Sequence, residues 1–134
     1  MSRRPNKYLQ EFFAKDFAHA QVTTDTTLDL FDVPAGRTFV IDRVLYVNPT
    51  GLAASDTDYV TVKVLNNATV AASWSTKTTG GNGALVAGTQ VKPVLSTTAS
   101  DINIASGVKC KLFLDVTGAP TVPAGNIRVE GRLL

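Results

Sequence analysis

An all-β fold follows from three observations on this 134-residue chain. Thr and Val lead the composition with 17 and 16 copies, so about a quarter of the residues are β-branched and stiff at χ1. Glutamate, a good helix former, occurs only as Glu11 and Glu130. From Val22 onward apolar residues recur at every second position, and the gaps between these runs are rich in Gly, Asn, Pro and Ser. Short alternating runs joined by turns, with no helices between them, predict an antiparallel sandwich or barrel.

The chain opens on a stretch of another kind. Residues 1–20 contain no Gly, Thr or Val and hold four of the ten aromatics: Tyr8, Phe12, Phe13 and Phe17. Tyr8 and Phe12 are four apart, as are Leu9 and Phe13, and Phe13 and Phe17, a spacing that stacks side chains on one face of a helix. Asn6 is placed to cap it. The expectation is an N-terminal docking arm at 1–20, helical or extended, ahead of a single β-sandwich domain at 21–134. An isolated helix of this length frays in water, so its aromatics need a surface. That surface is either the chain's own sandwich or a neighbouring subunit. The candidate partner-binding residues are Arg3, Arg4, Tyr8, Phe12, Phe13 and Phe17.

The strands follow in order. Leu28 and Leu30 flank Asp29. Segment 38–47 is apolar on both faces, with Phe39, Ile41, Leu45 and Val47 on one and Val40, Val44 and Tyr46 on the other, which predicts a central strand covered on both sides. Val60, Val62 and Val64 alternate with Thr61 and Lys63; Val70, Ala72 and Trp74 alternate with Ala71 and Ser73. The longest row is Val108, Cys110, Leu112, Leu114 and Val116. Ile127, Val129, Gly131 and Leu133 close the chain against Arg128, Glu130 and Arg132. Each run has one buried and one wet face. Val62, Val64, Trp74, Leu112 and Leu114 are the expected core.

The tetrapeptide VPAG occurs twice, at 33–36 and 122–125, each time ahead of a strand. Val closes on the core, Pro marks a strand edge because it cannot donate to a ladder, and Gly allows a tight turn. Two copies are too few for a repeat protein.

Chemistry is sparse. His19 is the only histidine, read as a surface or helix-end residue, which argues against a catalytic triad or a His-based metal site. Asp56 and Asp58 offer a loop Ca²⁺ two ligands but lack the remaining ligand pattern. TGGNG at 79–83 has no following Lys-Ser/Thr and reads as a flexible loop tip. Cys110 is alone and reads as a buried small hydrophobe. No enzyme activity, cofactor or metal is expected. The net charge of +2 resides in residues 1–20, leaving the body neutral, so no nucleic-acid partner is expected. No apolar run is long enough for a membrane helix, and no apolar segment follows the basic start, so synthesis in a host cytoplasm is expected.

The stretch FDVPAGRTFVIDRVLYVNPTG, with INIASGVKCKLFLDVTG and the second VPAGNIRVEG, resembles small structural proteins of tailed-bacteriophage virions over residues 28–134. The resemblance lies in strands and corners. It implies a jelly-roll module and a capsid decoration, or cement, protein. Such a protein sits on the capsid surface and clamps neighbouring capsomers. The partners it implies are the major capsid protein and further copies of the chain, with a trimer favoured. The alternative is a carbohydrate-binding or adhesin module of a virion fibre, for which Trp74 and Tyr59 are the aromatic candidates. The chain does not resemble a single-stranded RNA phage coat, which ends in long helices.

Overall fold

The computed structural model describes residues 11–134. Arg3, Arg4 and Tyr8 of the expected arm lie outside these residues. The strands are β1 (Glu11–His19), β2 (Thr26–Asp32), β3 (Phe39–Val47), β4 (Tyr59–Asn66), β5 (Thr69–Ser75), β6 (Gln90–Val91) and β7 (Val94–Leu95). One helical turn, α1 (Ala99–Ile102), precedes β8 (Asn103–Ile104), β9 (Lys109–Thr117) and β10 (Gly125–Leu133).

These strands make two antiparallel sheets. The first runs β1-β10-β3-β6, with β8 also paired to β3; the second runs β2-β9-β4-β5-β7. The chain changes sheet at every connection except the β4–β5 hairpin. That alternation is the jelly-roll arrangement, and it buries one face of each sheet against the other. Val60, Val62, Val64, Leu112 and Leu114 of the second sheet are essentially inaccessible, as are Phe39, Ile41, Val44, Tyr46, Ile127 and Val129 of the first. Trp74 faces the same core but is only partly covered.

Residues 11–19 are a strand, where the fourfold spacing predicted a helix. Spacing of four is ambiguous, because residues i and i+4 share a face in a strand as well as in a helix. What decides is the partner: all nine residues of β1 pair with β10, from Glu11 opposite Leu133 to His19 opposite Gly125. The strand separates what the helix gathered. Phe13 and Phe17 face inward, and Phe12 faces out at 88% exposure.

The two apolar faces expected for 38–47 also resolve differently. Glu130 pairs with Arg43 and Gly131 with Ile41, so Asp42 is an extra residue in β3. A bulge of this kind shifts the alternation by one. Phe39 and Ile41 are therefore joined inside by Val44 and Tyr46 rather than by Leu45 and Val47. A second bulge, between Val64 and Leu65 in the β4–β5 pair, turns Val70 outward, where it is 38% exposed.

The two VPAG segments do different work. In the first, Gly36 has φ +76, and the Arg37 N–H closes the turn on the Pro34 carbonyl at 3.1 Å. In the second, Gly125 already lies in β10 in extended backbone. A Cβ there would sit 2.6 Å from Tyr46 Oη and 3.0 Å from His19 Nε2, so glycine is needed for close approach rather than for a turn.

Candidate interaction surface

β1 is an edge strand. One of its sides is hydrogen-bonded to β10, and no strand among the described residues pairs with the other. It has no Pro, Gly or bulge over its nine residues. Its anchoring is strong on the inner face. Phe13 lies with its ring centroid 4.7 Å from that of Phe31 and 5.1 Å from that of Phe39, and Phe31 also meets Phe17 at 6.1 Å and Phe39 at 5.2 Å. Offset and edge-to-face contacts of this kind add stability beyond area burial. Beside them opens an apolar cleft of about 200 Å³ between the margins of the two sheets, with Lys15 and Asp32 at its rim.

The outer face of the first sheet is laced with ion pairs. Glu130 accepts from Arg43 Nε at 2.6 Å and from Arg128 Nε at 2.7 Å, and Arg128 Nη1 reaches Asp16 of β1 at 3.1 Å. Arg132 Nε donates to Asp42 at 3.0 Å. Hydrogen bonds from Arg43 and then Arg128 hold the Glu130 carboxyl below its ordinary range. The row ties β1, β10 and β3 together, although exposed pairs of this kind each contribute only about 0–1 kcal/mol.

Of the expected partner-binding residues, Phe13 and Phe17 belong to the chain's own aromatic cluster, and Phe12 stands alone on the surface. Two of these aromatics thus pack on the chain's own sandwich, and a third on the same strand faces solvent.

His19, expected at the surface, is 4% exposed. Nδ1 lies 2.7 Å from the Ala20 carbonyl, which can only accept, so Nδ1 carries the proton and Nε2 accepts from Tyr46 Oη at 2.6 Å. Tyr46 Oη in turn accepts from Asn48 Nδ2 at 3.3 Å, and the same amide donates to the Pro123 carbonyl at 2.8 Å. Asn48 Oδ1 accepts the N–H groups of Thr50 and Gly51. This buried network fastens the end of β1 to β3 and to the second VPAG corner. Burial lowers the imidazole below its ordinary value of 6.5. Both ring nitrogens are occupied by these partners. Among the described residues no group of three or more His, Cys, Asp or Glu is placed to hold a metal.

The loop carboxylates are used as stitches. Asp56 accepts the Thr79 N–H at 2.7 Å and its hydroxyl at 3.0 Å, and these bonds hold its carboxyl below the ordinary carboxylate range. Asp58 accepts the Ala119 N–H at 2.8 Å. The 79–83 loop, expected to be loose, is tied down: Asn82 exchanges backbone and side-chain bonds with Ser75, and the Trp74 indole donates to the Gly83 carbonyl at 3.0 Å. That bond and its core contacts hold Trp74 partly covered. Tyr59 remains half-exposed, with the Lys77 ammonium 5.7 Å above its ring. Cys110 is buried, and its thiol is pushed up to about 12. No helix among the described residues is long and apolar enough to cross a membrane.

No protein-family model matches the chain, and comparison with characterised proteins by sequence finds no match. Among solved structures, the chain is similar to one from the structure of the infectious bursal disease virus Gx strain, at 14% identity and a TM-score of 0.40. The likeness covers 93% of this chain and spans 32% of the length of the other.

Proposed function

We propose that the chain is a non-enzymatic structural protein of a bacteriophage virion, a decoration protein on the capsid surface that bridges neighbouring capsomers. The observation that carries this reading is the strand order. β1-β10-β3-β6/β8 faces β2-β9-β4-β5, the jelly-roll plan that recurs in viral shells. The same plan serves lectins and cupins, so the argument is one of fold analogy. It gains weight from the VPAG corners, which carry the resemblance to tailed-phage structural proteins. It gains further from an edge strand that presents a bare phenylalanine to a protein partner. The partners proposed are the major capsid protein and other copies of the chain.

The test is co-sedimentation of the purified chain with emptied tailed-phage heads, from a phage whose genome encodes it. Saturable binding to heads, weakened at least tenfold by Phe12→Asp, is the expected result. A chain that stays in the supernatant at all concentrations overturns the reading. Glycan binding that depends on Tyr59 would replace it with the adhesin alternative.

A further inference from the structure

We infer that β1 is a self-association edge, and that two copies of this chain join through it by a twofold axis, making one continuous sheet. The inference is independent of the virion reading.

The argument starts from the free side of β1. Strands with unpaired N–H and C=O groups recruit another strand unless something blocks them; Pro and bulges are missing here, and the charges Glu11, Lys15 and Asp16 guard the edge against any partner that does not neutralise them. A twofold perpendicular to the sheet makes the new pairing antiparallel and keeps inner faces on the same side. Glu11, Phe13, Lys15 and Phe17 face inward, since directly opposed residues share a face and their partners on β10 are Leu133, Gly131, Val129 and Ile127. Inner residues must therefore oppose inner residues.

Among twofold centres from Phe13 to Asp16, charge selects the register. Centring on Lys15 or on Asp16 sets like charges directly opposite, which is destabilising. Centring on Ala14 sets Lys15 against Phe13 and Glu11 against Phe17, leaving Lys15 without a countercharge and Glu11 with Arg37 alone. Centring on Phe13 sets Glu11 opposite Lys15 twice, Phe13 against Phe13, and Phe12 against Ala14 on the outer face. Lys15 has no ion-pair partner among the described residues, and Glu11 is 66% exposed on its side chain despite its bond to Arg37. Each charge is thus open to the other copy. The Phe13 pair extends the cluster of Phe31 and Phe39 across the axis. Phe12, bare in one copy, gains a small neighbour on which to lie. The contact proposed is twofold, whereas the resemblance to virion proteins favours a trimer.

Sedimentation equilibrium of the full chain at tens of micromolar is the first measurement, and a dimer is expected. Lys15→Glu should weaken it at least tenfold, because Glu11 then meets a second carboxylate. Adding Glu11→Lys to Lys15→Glu should restore the dimer. Circular dichroism checks that each variant keeps its β signal. Should a charge variant fail to fold, Phe12→Cys with Ala14→Cys gives a second readout. That double variant should form a covalent dimer under mild oxidation, and Ala14→Cys alone should not. A monomeric wild-type chain, an oligomer indifferent to Lys15→Glu, or cross-linking by Ala14→Cys alone would overturn the proposal.

Discussion

At the scale of single residues, the core and the His19 network make separate predictions. Leu112 is 1% exposed at the centre of β9, between β2 and β4. Leu112→Ala should cost about 2–5 kcal/mol in chemical denaturation, and a loss well under 1 kcal/mol would count against its place in the core. His19 is held neutral, with its folded-state pKa below 6.5. Above that value both folded and unfolded chains carry a neutral imidazole, and its contribution to stability is complete. As pH falls below about 6.5 the unfolded chain takes up a proton that the native chain resists, so stability falls with it. Denaturation midpoints measured from pH 8 to pH 5 should decline below about 6.5 in the wild type. His19→Gln should flatten that decline. The carboxylates with lowered values, Glu130 and Asp56, give up their contributions only further down, as pH falls below the ordinary carboxylate range.

At the scale of elements, the two VPAG glycines should respond differently to alanine. Gly36→Ala has open space but a left-handed φ, and should cost about 1–2 kcal/mol. Gly125→Ala forces Tyr46 or His19 to move within a packed network, at about 1–3 kcal/mol. Only the second should also change the pH dependence assigned to His19. Removing residues 2–19 bares the β10 edge and the rings of Phe31 and Phe39. It should lower Tm by roughly 10 °C or more, since each kcal/mol is worth roughly 2–8 °C.

The alternation of valines in β4 and of leucines in β9 made those strands legible, because nothing interrupts their period. In β3 the period was hidden by Asp42, one extra residue that no propensity marks. β1 was legible only as helical or extended, because phenylalanines four apart suit either structure, and only its partner 106 or more residues away decides between them. His19 carried no local signal at all. Its burial depends on Tyr46, Asn48 and the missing Cβ of Gly125 meeting at one end of the sandwich.

At the scale of the whole molecule, the first sheet depends on contacts between the two ends of the described chain. Non-local pairing of this kind slows folding, because loops must close before contacts reward them. Refolding followed by the fluorescence of Trp74, the only tryptophan, should take milliseconds to seconds or longer. Submillisecond refolding would show that β1 and β10 pair without waiting for the intervening strands. The same pairing has a consequence on the ribosome. At about 5–20 residues per second, β10 is made some 5–20 s after β1. Through that interval the nascent β1 has neither its native partner nor the Phe39 side of its aromatic cluster fully in place. Its sticky edge is offered to whatever is nearby, including the same strand on the next nascent chain of a polysome. An edge suited to meeting its own copy is therefore available for assembly before the domain that carries it is complete.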